Sequence, residues 1–66
     1  MVRYGIIGSG MMGQEHIRNI RLLDGAAITG IADPNEQMRT SALNAAGGGA
    51  TVFADYRDLL SADVCD

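Results

Sequence analysis

Three glycines, Gly8, Gly10 and Gly13, punctuate the stretch RYGIIGSGMMGQEHI at the spacing G-x-G-x-x-G. A backbone this bare, set where an apolar run gives way to a helical pattern, suits the close approach of an anion to main-chain amides. A dinucleotide pyrophosphate is the anion that the pattern points to. In that role Gly8 makes the tight turn, Gly10 lets a phosphate reach the backbone, and Gly13 lets the helix pack closely on the strand. The amides around Met11 and Met12 fall at the helix N-terminus, where unpaired N–H groups and the helix dipole favour negative charge. The competing reading is a tight strand-to-helix turn that binds nothing.

Asp33 follows Gly13 by 20 residues. An acidic residue at this distance, at the end of a second strand, accepts hydrogen bonds from the adenosine ribose hydroxyls and repels a 2′-phosphate, which favours NAD over NADP. The same residues, Asp33-Pro34-Asn35-Glu36, also fit a helix start, with Asp33 as N-cap, Pro34 at the first helical position and Glu36 completing a capping box. Arg39, a turn into that helix, is expected to be a solvated charge, with a role on a 2′-phosphate as the lesser alternative.

The other reactive side chains carry less. His16, the single histidine, sits beside the sheet-facing stripe of the first helix and is expected to pack there and not to catalyse. Met11 and Met12 would cover the cofactor, although Met12 equally suits core filling. Cys65, the single cysteine, is expected to be a small buried apolar residue. Asp55 and Asp58 suit capping of a short helix, and no third ligand lies near them in sequence to make a metal site. No catalytic residue is assigned.

These residues need a scaffold, and the hydrophobic pattern predicts one. Val2 to Ile7 is expected to be a strand buried on both faces. Met11 to Leu23 follows as a helix, with Gly13, Ile17 and Ile20 inward, His16 and Leu23 flanking, and Asp24-Gly25 as the stop. Ala26 to Ala32 reads as a second buried strand. A second helix begins at Asp33 to Glu36, turns Met38, Ala42, Ala45 and Ala46 inward, and ends at Gly47 to Gly49. Thr51 to Phe53 is a short third strand, and Asp55 to Leu60 a third helix with Asp55 as N-cap. This alternation predicts an α/β fold: a parallel sheet in the order 3-2-1 with right-handed crossover helices. A fourth strand is expected beside the first, beginning near Val64. Without it the first strand is an apolar edge open to aggregation, so the 66 residues are expected to be part of a larger domain.

Composition excludes several classes. The 47% hydrophobic content is that of a globular protein and not of a disordered tail. The net charge is −3 and the five cations are scattered arginines, so no basic patch suggests nucleic acid or an anionic membrane. The apolar runs are far shorter than the roughly 20 residues of a membrane span. Glycines interrupt any signal-peptide core, which makes the cytoplasm the default compartment. One cysteine and one histidine allow neither an internal disulfide nor a zinc site.

The segments YGIIGSGMMGQEHIRNI, ITGIADPN, VFADYRDLL and ADVCD together resemble the N-terminal part of the Gfo/Idh/MocA oxidoreductases. The resemblance implies a Rossmann nucleotide domain followed by an α/β domain with a large open sheet, and the oxidation or reduction of sugars, inositols and related alcohols with NAD or NADP. It implies cofactor contacts at Gly8, Gly10, Gly13 and Asp33, with Ser9, Met11 and Met12 contributing backbone. The family's catalytic lysine, in a Glu-Lys-Pro motif, and its later Asp/His pair have no counterpart among these residues, which include no lysine. The stretch alone is therefore expected to be inactive. Two further readings stay open: a non-catalytic nucleotide-sensing module, and a chain that pairs its first strand with another copy or a partner. Within the enzymes, biliverdin-reductase-like and homoserine-dehydrogenase-like proteins are the runners-up, disfavoured by ADPN and FADYRDLL.

Overall fold

A computed structural model describes residues 1–8 and 10–66, with the side chains of Met11 and Met12 outside the described set. The elements are β1 (Val2–Ile7), α1 (Met11–Arg21), β2 (Ala26–Ala32), α2 (Glu36–Ala45), β3 (Thr51–Phe53) and α3 (Tyr56–Ser61). The strands form one parallel sheet in the order β1-β2-β3, the expected 3-2-1 arrangement seen from its other edge. No described helix is long and apolar enough to cross a membrane.

Alternation along the strands divides the core between the two faces of the sheet. Ile6 and Ile31 are register partners, and with Ile17 of α1 and Ala42 of α2 they form the buried cluster on one face. Their chain neighbours Gly5 and Gly30 are also register partners and look the other way, toward Leu59 of α3, which is 1% exposed. β2 lies between the other two strands; of the expected buried strand Ala26 to Ala32, Gly30 to Ala32 are buried and Ala26 to Thr29 half-buried. β1 is not buried on both faces: only Ile6 is buried, and Val2 and Ile7 are exposed, because a neighbour runs along one side only.

The helix ends depart from expectation in instructive ways. α1 stops at Arg21, and Leu23 lies in the turn beyond it, exposed. Gly25, with φ +76°, then sets up the next strand, its carbonyl accepting from Val2 N at 2.7 Å. In α2 the inward face is narrower than expected: Ala42 is buried, Ala45 and Ala46 are half-buried, and Met38 is exposed. Three glycines with positive φ follow, and Gly48 N and Gly47 N donate to Leu43 O at 2.9 Å and Asn44 O at 3.1 Å. That is a Schellman closure, which needs the left-handed residue that Gly47 supplies.

The chain beyond α3 crosses the sheet on the face of Gly5 and Gly30. The Thr29 hydroxyl donates to Val64 O. A Cβ on Gly5 would stand 2.7 Å from Cys65 Sγ, and one on Gly30 would stand 3.0 Å from Val64 Cγ2. The pair is thus a bare stripe across two strands in which the segment lies, and Cys65 is half-buried there.

At its end the segment reaches the outer edge of β1. Val2 N and Gly8 N pair toward β2, so Arg3 presents its main chain to the other side. Asp66 N donates to Arg3 O at 2.8 Å, and Arg3 N donates to Asp66 Oδ2 at 2.8 Å. The Arg3 guanidinium completes the clasp on Asp66 Oδ1 at 2.9 Å. These bonds and the neighbouring cation hold the Asp66 carboxyl below its ordinary pKa. Residues 62–66 form no strand, and one main-chain bond, from Asp66 N to Arg3 O, meets the outer edge of β1 where a fourth strand is expected.

The stripe predicts that Gly5→Val, which forces a side chain into Cys65 and Leu59, lowers unfolding stability by about 1–3 kcal/mol, the scale of an overpacked core. Urea denaturation followed by circular dichroism measures this, and an unchanged midpoint would refute the steric role of Gly5.

Candidate functional site

The turn between β1 and α1 rests on a close approach between two glycines. Gly8, at the C-terminal end of β1, has φ +80°, a conformation open to glycine at little cost. Its N–H donates to Ala32 O at 2.9 Å, so the turn is tied to the end of β2. A Cβ on Gly13 would lie 2.2 Å from Gly8 O, so the first turn of α1 can sit against the loop only because Gly13 lacks one. The sequence assigned Gly13 to close packing of the helix on the strand, and the atom it meets is the carbonyl of the first glycine.

Gly10 is the N-cap of α1 and has no side chain to cap it. The first intrahelical bond runs from Gln14 N to Gly10 O at 2.9 Å. The N–H groups of residues 11, 12 and 13 thus precede the hydrogen-bonded ladder, and no acidic residue occupies the first turn. A Cβ at Gly10 would meet nothing within 4 Å, so the space beside it is open. Ser9 lies outside the described residues, as do the side chains of Met11 and Met12.

Asp33 is placed at the end of β2 and is half-buried. Its N–H donates to Phe53 O at 3.0 Å, its carboxylate Oδ1 accepts from Asn35 N at 2.8 Å, and its carbonyl accepts from Arg39 Nη1 at 2.8 Å. The N-cap of α2 is Asn35, whose side chain accepts from Met38 N at 3.1 Å, and not Asp33. Asp33 precedes the cap by two residues and forms an Asx turn instead. Arg39 departs from the expected solvated charge: it is half-buried and reaches back along α2 to hold the Asp33 carbonyl.

A cleft of about 320 Å³ opens at the C-terminal ends of the three strands, lined by Ile7 and Gly8 at the end of β1, Ala32 to Pro34 at the end of β2, and Ala54 to Tyr56 after β3. The glycine turn and Asp33 therefore share one opening. Its volume is at the small end of the roughly 300–1,000 Å³ usual for ligand pockets. Asp55 on its rim caps α3, accepting from Arg57 N at 2.8 Å and pairing with Arg57 Nη2 at 2.6 Å. The hydrogen bonds from Arg57 hold its carboxyl down at about 2.

His16 is exposed, contrary to the expected packing, and borders a second depression with Gly5, Ile6 and Ile20. It lies on the flank of the Gly13, Ile17 and Ile20 stripe on the β1 side. Among the described residues no group of three His, Cys, Asp or Glu side chains is placed to hold a metal ion. Tyr56 was given no role by spacing. Its one sequence signal is an aromatic residue just after the Asp55 cap, and the cleft gives it a position.

Known proteins share this architecture. A family model described as an oxidoreductase family with an NAD-binding Rossmann fold, GFO_IDH_MocA, matches residues 2–66. An inositol 2-dehydrogenase/D-chiro-inositol 3-dehydrogenase of Shouchella clausii is 40% identical over 62 residues, which is 92% of this chain and 18% of that protein. Inositol 2-dehydrogenase 3 of Saccharopolyspora erythraea is 42% identical over 65 residues, 96% of this chain and 19% of that protein. The crystal structure of myo-inositol dehydrogenase from Lactobacillus casei in complex with NAD(H) and myo-inositol superposes with a TM-score of 0.88 at 31% identity, covering 100% of this chain and 20% of that one. The chain thus spans about a fifth of the length of these relatives.

Two outcomes are expected of this geometry. Gly13→Ala should cost about 1–3 kcal/mol in urea denaturation, since a methyl group has to displace the Gly8 carbonyl; a neutral effect would mean that the two glycines do not touch. The folded-state pKa of Asp55 lies below its ordinary 3.8, so the stability it lends is complete above that value and is lost as the pH falls toward about 2. Asp55→Asn keeps a capping oxygen and removes the titration. The wild-type advantage in melting temperature over this variant should narrow through that window, and a constant difference would refute the ion pair.

Proposed function

Because the chain belongs to the Gfo/Idh/MocA oxidoreductase family, with its NAD-binding Rossmann fold, we propose that residues 1–66 hold the pyrophosphate and the adenosine ribose of NAD. The carrying observation is the shared cleft: the turn at Gly8, clasped by Gly13, and the carboxylate of Asp33 face one opening at the C-terminal ends of the strands. The residues fit such a group. The space beside Gly10 admits a phosphate, and the amides of residues 11 to 13 meet its charge where the helix dipole helps. Ser9, Met11 and Met12 are assigned backbone contacts to the same group. Asp33, held by its main chain and by the Asn35 amide, takes the ribose hydroxyls and disfavours a 2′-phosphate.

The bound NAD supplies the hydride acceptor. The chemistry at the substrate belongs to a longer protein, which we propose to be an NAD-dependent dehydrogenase of inositol or a related polyol, in line with the relatives named as inositol dehydrogenases. The present residues bind and orient. They contain no lysine, and His16 lies outside the cleft that holds Asp33.

Calorimetric titration tests the assignment. Asp33→Ala is expected to weaken NAD binding by about 1–3 kcal/mol, the cost of leaving partner hydroxyls unpaired, and to narrow the preference over NADP. Unchanged affinity together with an unchanged preference would remove Asp33 from the site.

A further inference from the structure

We infer that Tyr56 is the platform for the adenine ring, an inference that rests on the dinucleotide reading of the cleft and adds a residue to it. Three observations converge. Tyr56 lines the same opening as Gly8 and Asp33 and is 52% exposed, so its side chain is not taken up by the core. Beside Gly8 and Asp33 the lining is apolar, with Ile7, Ala32, Pro34 and Ala54, which suits a flat heteroaromatic ring. Pro34, in the loop after β2, and Tyr56, the first residue of α3 after β3, line this opening together with Asp33.

A base placed beyond the ribose on Asp33 therefore meets a tyrosine. Stacking of a base on an aromatic side chain is tolerant of base identity and is worth enough to read in an affinity. The Asp55 cap fixes the start of α3 through its bond to Arg57 N, so the backbone carrying Tyr56 is held without a ligand. Tyr56 binds and positions; it has no part in proton or hydride movement.

The 66-residue chain has two tyrosines and no tryptophan, and the second tyrosine, Tyr4, lies half-buried in β1. Tyrosine emission is therefore a direct probe. Wild type, Tyr56→Phe and Tyr56→Ala are titrated with NAD, with ADP and with nicotinamide mononucleotide, which lacks the adenine, while circular dichroism follows folding. Expected are a change of wild-type emission on saturation with NAD or ADP, and its loss in Tyr56→Phe with affinity kept within about twofold. Tyr56→Ala should lose about tenfold in affinity for NAD and ADP, the scale of one stack, and nothing for nicotinamide mononucleotide. If Tyr56→Ala binds NAD and ADP like the wild type, the platform is overturned and the dinucleotide site stands. If Tyr56→Ala does not fold, the wild-type signal decides: unaltered emission at saturating NAD overturns the platform. A folded wild type that binds neither NAD nor ADP overturns both.

Discussion

The contact on which this structure depends is the one between the Cα of Gly13 and the carbonyl oxygen of Gly8. With a side-chain atom 2.2 Å from that oxygen ruled out, helix α1 can start directly over the end of β1. Everything near the cleft follows from that seat. The amides at the start of α1 are brought to the sheet edge, Ile17 drops into the cluster with Ile6 and Ile31, and Gly8 is left free to bond the end of β2. A larger residue at position 13 would lift the helix and unseat the pocket and part of the core together. Binding geometry and folding stability are set here by the same pair of atoms.

The second constraint is the placement of Asp33. A carboxylate at a strand end is ordinarily mobile, but this one belongs to a residue held through its amide, its carbonyl and one carboxylate oxygen, from β3, α2 and the intervening loop. Because Asn35 supplies the helix cap, Asp33 is relieved of that duty. Pro34 separates the two and biases the residue before it toward extended backbone. Two polar residues one position apart that look interchangeable in sequence are thus divided between a structural role and a position on the cleft.

The sequence made the order of elements legible because each change of hydrophobic period coincides with a glycine or a cap. Gly8, Gly25 and Gly47 mark element ends, and Asp55 caps α3 as its position suggested. What escaped was what depends on contacts between distant residues. Gly5 and Gly30 look like weak points in two strands, and only their register pairing shows that they share a stripe. His16 was misplaced because helical periodicity fixes an angle around the axis, not whether anything stands at that angle beyond β1. Arg39 looked like a surface charge because its acceptor is a carbonyl, which no residue type reveals. Tyr56 has no partner at a diagnostic spacing, and its place beside the cleft shows only when three strand ends are brought together.

The clasp between Arg3 and Asp66 joins residues 63 positions apart. Loop-closure entropy grows only slowly with length, by about 0.6 kcal/mol per doubling, so the separation is tolerable at equilibrium. Its effect is on timing. During synthesis β1 emerges before β2, with which its inner edge can then pair, but the outward N–H and C=O of Arg3 meet these partners only after the whole βαβαβα run has left the ribosome. Until then the outer edge of β1 is bare there. A charged side chain on an edge strand is a general deterrent to strand docking, and Arg3 places one at this position of β1.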